Sequence, residues 1–340
     1  MKRLDAASWF LLLAIGLSIA GLAYVVARAP AVPDAETTLY TATGPLEVAQ
    51  NPLDADRTFR YLEEICRIGV RSSGSEGMQQ QQALLTRHFE QLGGVVQRQE
   101  FRVRHPLTGQ PVAMANLVVQ WHPERRERIL LCAHYDTRPF PDRDPDPQAR
   151  RGVFVGANDG GSGVAVLMEL AHLWSKYNGK LGVDYVLFDG EELVYDEDRD
   201  EYFLGSRYFA ESYVRSPPAY RYRGAILLDM VGDKHLNLPQ EHHSATWRDT
   251  RGMTQSIWKT AQQMGVREFI PRRGYQLRDD HLMLHDIAKI PACDIIDFDY
   301  GPPGQRVSYW HTREDTPDKC SGESMAKVGW VVWTWLSNLR

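Results

Sequence analysis

Five side chains of the kinds that hold metal ions recur at equivalent places in the chain: His134, Asp159, Glu192, Asp229 and His311. Each falls at the end of a strand-like run or on the loop that follows one. His134 closes ILLCAH, Glu192 ends YVLFDGEE and Asp229 closes AILLD. Asp159 lies in GANDGGSG (156–163), just before a helical run, and His311 lies in the loop after the apolar run at Cys293. Zinc favours a few nitrogen and oxygen ligands, and in α/β sheets these converge beyond the carboxyl ends of the strands. A further carboxylate, Glu191, stands beside Glu192. A metal that polarises a carbonyl next to a free carboxylate that moves protons is the equipment of hydrolytic or acyl-transfer chemistry.

Taken singly, several of these residues have plainer readings. A lone histidine at a strand end is more often structural than a ligand. Asp159 alone would serve as an N-cap for the helix that follows. Asp229 resists such a reading, because a carboxylate in an apolar strand needs a partner and a metal is a common one. The Glu191–Glu192 pair at the end of a buried strand would repel itself without a cation nearby. In His134-x-Asp136 the aspartate is placed to orient the imidazole from behind. Neighbours such as Glu191 and Glu192 point in different directions, so one can bind metal while the other acts as acid or base. The glycines of GANDGGSG let backbone approach closely. Asp279-Asp280-His281 opens a helix, where Asp279 is either an N-cap or a site residue.

The elements that must position these residues alternate in type. Amphipathic helices are expected over 57–68 and 78–92, strands over 115–120 and 129–133, and a helix over 163–173. A buried strand follows at 185–188, a helix at 206–214, and another buried strand at 225–230. Helices at 254–264 and 280–288, a strand at 293–296 and a closing helix at 324–339 complete the pattern. Continuous apolar strands between helices imply a sheet covered on both faces. The expected fold is a three-layer α/β/α sandwich around a mixed, mostly parallel sheet.

The amino terminus reads as a separate element. Ala6–Ala27 carries no charge, and its roughly 22 residues would span about 33 Å as a helix, enough for a hydrocarbon core. A cleaved signal peptide is the alternative, since Ala27-Arg28-Ala29 has a small-x-small pattern. Lys2 and Arg3 outnumber the lone Arg28, which leaves a stub at 1–5 inside and the bulk of the chain exported. Residues 28–52, rich in Ala, Pro and Thr, read as a tether to a single catalytic domain at 53–340. A net charge of −5 offers no electrostatic reason to expect a nucleic-acid partner. The four cysteines contain no CxxC pair, so a cysteine zinc site is not expected; Cys132 and Cys293 read as buried thiols, and a disulfide stays open.

The motifs HYD, GANDGGSG, DGEE, LLDM and the HT-x-x-D of His311–Asp315, in this order, resemble the zinc-dependent aminopeptidases of the co-catalytic two-zinc type. Trp310 before His311, Asp279-Asp280-His281, and the long segment Leu193–Leu204 before Gly205-Ser206-Arg207 are similar to one branch, the glutaminyl cyclases (glutaminyl-peptide cyclotransferases). HYDTRPFPDRDPDP (134–147) resembles the bacterial form of that branch. The resemblance covers roughly residues 55–340. It implies one Zn²⁺ held by Asp159, Glu192 and His311, with Glu191 as general acid/base, Asp229 and Asp279 in the proton and hydrogen-bond network, and Trp310 walling a substrate pocket. It implies peptide or protein N-termini as substrates, with N-terminal glutamine converted to pyroglutamate and ammonia. The chain departs from the cyclase pattern by keeping all five aminopeptidase-type ligands, so His134 and Asp229 could hold a second ion. A zinc aminopeptidase is therefore the alternative, and a tethered binding domain without activity is a third reading that predicts a broken ligand set.

Overall fold

The structure is a computed structural model that describes residues 50–305 and 307–339. The apolar segment 6–27 and nearly all of the tether lie outside the described residues. Among the described residues, no helix is long and apolar enough to cross a membrane.

The strands are β1 (Val95–Arg104), β2 (Pro111–Trp121), β3 (Glu127–His134), β4 (Gly182–Phe188), β5 (Arg221–Asp229), β6 (Leu238–Gln240), β7 (Phe269–Arg273) and β8 (Ala292–Ile296). The α-helices are α1 (Ala55–Arg67), α2 (Glu76–Gln91), α3 (Gly163–Leu170), α4 (Leu204–Arg215), α5 (His242–Thr246), α6 (Arg251–Gln263), α7 (Asp280–Asp286) and α8 (Gly322–Ser337). The main sheet runs β1-β2-β4-β3-β5-β8. β3 pairs in parallel with β4 and β5, and β5 with β8, while β2 runs antiparallel to both β1 and β4. The sheet is thus mixed and mostly parallel, as expected from apolar runs separated by helices.

Every residue of β4 is buried, as is every residue of β3 after Glu127, because helices cover both faces. On one face Leu130, Cys132, Val186, Phe188 and Leu227 pack with Phe209 and Ala210 of α4 and Leu284 of α7. On the other, α1, α3 and α8 pack against one another, and α3 lies directly on β3 and β5. That approach depends on Gly163, where an added Cβ would collide with the Leu228 carbonyl oxygen and sit 3.0 Å from the Ala133 Cβ.

The expected strands and helices are all present, with ends shifted by a few residues. The helix expected over 163–173 stops at Leu170 and continues as a 3-10 turn, Ala171–Lys176. β1 was not anticipated. It is an edge strand whose residues are exposed or half-buried except Phe101, so its composition is charged rather than apolar. The short parallel pair β6–β7 was also not anticipated. The four cysteines are all free thiols, which closes the question of a disulfide.

Candidate metal and catalytic site

Sheet register brings His134, Asp229 and the turn carrying Glu192 to the carboxyl ends of the parallel strands. His134, the last residue of β3, is level with Phe188, the last of β4, so the turn carrying Glu191 and Glu192 starts beside it. Asp229, the last residue of β5, is level with Ile296, the last of β8, whose following loop returns with His311. Two of the turns are left-handed at non-glycine residues, with φ of 49° at Met230 and 55° at His311. Such conformations cost about 1–3 kcal/mol each and persist where surrounding structure enforces them.

Asp159 enters from the loop before α3. Its backbone is non-helical and it caps nothing, so the N-cap reading is withdrawn. The Asp315 carboxylate holds this loop, accepting from the amides of Asn158 at 2.8 Å and Asp159 at 3.1 Å. Gly160, at φ 80°, passes where a Cβ would strike the Asp136 carbonyl oxygen and the His134 ring.

The donors form two triangles that share Asp159. In one, His134 Nε2 lies 3.2 Å from Asp159 Oδ1 and 3.2 Å from Asp229 Oδ1. In the other, His311 Nε2 lies 3.4 Å from Asp159 Oδ2 and 2.8 Å from Glu192 Oε1. Two donors bound at about 2.05 Å to one tetrahedral ion lie about 3.3 Å apart, so these spacings fit zinc. Asp159 Oδ2 is buried and has no hydrogen-bond partner, as a donor reserved for a cation would be. His134 with Glu191 and Glu192, and His311 with Asp142 and Glu197, also come within reach of one ion. In His134 it is Nδ1 that faces Glu191, at 3.9 Å, and in His311 it is Nδ1 that faces Asp142, at 3.6 Å. Both imidazoles turn Nε2 toward Asp159.

Electrostatics favour a cation as well. Burial pushes Glu191 and Asp279 well above the usual carboxylate range, and neighbouring carboxylates add to it. Asp229 and Glu192 are also raised, first by burial. Asp159 runs the other way: burial works against its charge, and the imidazoles of His134 and His311 beside it outweigh burial. A cluster of carboxylates held at this density is relieved by a divalent ion.

Asp136 does two things, and the expected one is the weaker. Its Oδ1 lies 3.6 Å from His134 Nδ1, but its hydrogen bonds go to the backbone amides of Glu191 at 3.1 Å and Glu192 at 3.0 Å. It therefore fixes the glutamate turn more directly than the imidazole. Asp279 sits at the start of α7 and at the cavity. It caps α7 by accepting from the Asp280 amide, and it lines the cavity above the donors.

That cavity, of about 560 Å³, is lined by Asp159, Glu191, Glu192, Asp229, Asp279 and His311 at its floor and by Trp310 on its wall. The Trp310 ring lies 3.9 Å from the His311 ring and 5.0 Å from Phe298. Glu197, Asp198, Tyr202 and Phe203 of the segment 193–204 supply another wall.

Sequence reasoning missed the supports behind the donors. The Arg138 amide donates to Glu192 Oε2 at 2.9 Å, and its guanidinium forks onto Asp142 at 2.9 and 2.8 Å. Glu197 joins Arg138 at 3.1 Å to Arg143 at 2.9 Å, and Arg143 lies over the Trp310 ring at 4.4 Å. The Arg-x-x-x-Asp spacing of Arg138 and Asp142 was the available signal; nothing in the sequence pairs Glu197 with either arginine.

Residues 116–336 match peptidase family M28. A glutaminyl-peptide cyclotransferase of Bothrops jararaca is 24% identical over 271 residues, covering 70% of this chain and 69% of that protein. Among solved structures, the glutaminyl cyclase of Fimbriiglobus ruber is 40% identical with a TM-score of 0.81, covering 88% of this chain and 100% of the other. A leucine aminopeptidase precursor from Bacteroides thetaiotaomicron is 30% identical with a TM-score of 0.77, covering 87% of this chain and 100% of the other. The matches extend over both walls of the cavity and all five donors, and the chain belongs to peptidase family M28, in the branch that holds the bacterial glutaminyl cyclases.

Proposed function

We propose that the protein is a zinc-dependent glutaminyl-peptide cyclotransferase that converts N-terminal glutamine of peptides to pyroglutamate and releases ammonia. The observation that carries this reading is the pocket: Trp310 and the segment 193–204 wall a cavity that the donors and Glu191 also line. Ring closure needs the glutamine side chain folded back on its own α-amine, and a walled pocket holds that shape. The identity to a solved glutaminyl cyclase supports the same reading.

Asp159, Glu192 and His311 would hold one zinc tightly, with His134 and Asp229 available to a weaker second ion. Bound there, zinc supplies a Lewis acid for the γ-amide carbonyl. Glu191, whose amide is fixed by Asp136, takes a proton from the attacking α-amine as the new C–N bond forms. It returns that proton to the γ-nitrogen as the amide C–N bond breaks, and ammonia leaves. Trp310 packs the aliphatic stem of the glutamine, and Asp229 and Asp279 supply the polar network around the amine.

The aminopeptidase reading keeps one specific support: the two donor triangles share Asp159 and both are complete. The product formed from a Gln-initiated dipeptide separates the two. Ammonia without free amino acid supports the cyclase; free glutamine at comparable rate overturns it. An intact donor set counts against an inactive binding domain.

Asp142 tests the zinc assignment. Its Oδ1 lies 3.6 Å from the outer nitrogen of His311, beyond hydrogen-bond length, so it acts through its charge rather than through the direct hydrogen bond that is typically worth about 10- to 100-fold in metal affinity. Asp142→Ala is expected to weaken zinc by about the lower end of that range, near tenfold, in competition with a chelator. Unchanged affinity would remove Asp142 from the site.

We further propose that Ala6–Ala27 anchors the chain in a membrane, with the catalytic domain outside the cytoplasm. The intact chain should partition with membranes, and a chain beginning near Pro52 should be soluble and folded. Recovery of a mature soluble protein beginning near Pro30 would indicate a signal peptide.

A further inference from the structure

Three arginines line the cavity, and they are not equivalent. Arg138 is paired with Asp142 and Glu197, and Arg143 with Glu197, so their charge is already answered within the wall. Arg278 is exposed at the mouth, next in sequence to Asp279 on the cavity floor. Its guanidinium lies 5.5 Å from the Tyr202 ring centre and 5.9 Å from that of Phe203. Among the described residues, no carboxylate pairs with it.

A guanidinium resting on aromatic faces keeps its in-plane N–H donors free for a carboxylate fork. The aromatic pair limits the side chain's wandering, so less freedom is lost when a ligand arrives. The rest of the cavity is of the opposite sign, which sets Arg278 apart from its surroundings. Its floor carries Asp159, Glu191, Glu192, Asp229 and Asp279, and the 193–204 wall on which Arg278 rests adds Glu197 and Asp198. Among the described residues of that acidic lining, Arg278 is the guanidinium without a carboxylate partner, and it stands at the mouth, away from the donors on the floor.

We infer that Arg278 is a specificity-determining residue that takes a carboxylate carried by the residue following the substrate's N-terminal one. The inference rests on the reading that an N-terminal residue is processed on this cavity floor. The carboxylate has two sources, an acidic side chain or the free C-terminus of a dipeptide, and they are tested separately.

The measurement is the ratio of kcat/KM for Gln-Glu-Ala-amide over Gln-Gln-Ala-amide, with Gln-Ala against Gln-Ala-amide as the second arm. Ammonia and free glutamine are both quantified. The wild-type protein is expected to favour the side-chain carboxylate about three- to tenfold at low ionic strength, with the preference fading as salt rises. Arg278→Ala should bring the ratio to about one, Arg278→Glu should invert it, and Arg278→Lys should keep part of it. Because each ratio is internal to one variant, changes in expression or overall rate do not disturb it. A preference confined to the second arm would assign Arg278 to the terminal carboxylate of dipeptides. A wild-type ratio of one or below in both arms, or ratios unmoved by Arg278→Glu, overturn the inference. Release of free glutamine instead of ammonia overturns the cyclase reading, and the same ratios taken on that product still judge Arg278.

Discussion

Glu191→Gln is expected to lose at least about two orders of magnitude in turnover while keeping its zinc and its fold. The side chain is placed for proton traffic. It lines the cavity, stands outside both donor triangles, and is pushed by burial well above the usual carboxylate range. Glutamine keeps the size and hydrogen bonding but cannot cycle a proton. A positioned acid/base typically contributes about 10²- to 10⁴-fold. Glu192→Gln should instead weaken metal binding along with activity, since Glu192 Oε1 is the oxygen 2.8 Å from His311 Nε2. Zinc lost from Glu191→Gln but kept by Glu192→Gln would mean that the two roles are reversed. Near-full activity in Glu191→Gln would sink the proton transfer under both the cyclase and the peptidase reading.

Asp159→Asn should be the more damaging change for the metal. Its two oxygens face the two histidines, so it is the one residue common to both triangles. The substitution removes the shared anion and places an amide nitrogen where a donor oxygen stood. Loss of the tight zinc forfeits several kcal/mol of carbonyl polarisation, which corresponds to a rate loss of about three orders of magnitude or more. Asp229→Asn is the control, since Asp229 belongs to one triangle only and should leave the tight zinc in place. Elemental analysis decides it: stoichiometric zinc in Asp159→Asn would show that the shared-carboxylate assignment is wrong.

The strands that carry the site were legible because they are buried on both faces and therefore read as unbroken apolar runs. His134, Glu192 and Asp229 were legible for the same reason, since a carboxylate or imidazole at the end of such a run stands out; Asp159 and His311 lie in loops and were legible through the motifs around them. What the residues alone did not reveal was pairing across the chain. Asp142, Glu197 and Arg278 lie in charged loops whose composition looks like solvated surface, and only folding sets Glu197 between two arginines. Asp136 was noticed but given the wrong emphasis. A spacing of two suggested the imidazole, whereas the turn after β4 brings two amides closer to its oxygens. β1 escaped notice because an edge strand needs little apolar surface, and Val95–Arg104 has little.

The way the donors are distributed also has a temporal meaning. In sequence, β3, β4 and β5 follow one another and β8 comes after β6 and β7; in space β3 sits between β4 and β5, and β8 closes on the far side of β5. No contiguous stretch of chain carries a complete triangle, and His311 arrives only after β8 is laid down. Such long-range pairing is slow to assemble, and an ion cannot template contacts whose partners are still apart. Zinc is thus expected to load after the sheet has closed. It would act as a seal on a finished structure, slowing its opening far more than it hastens its formation.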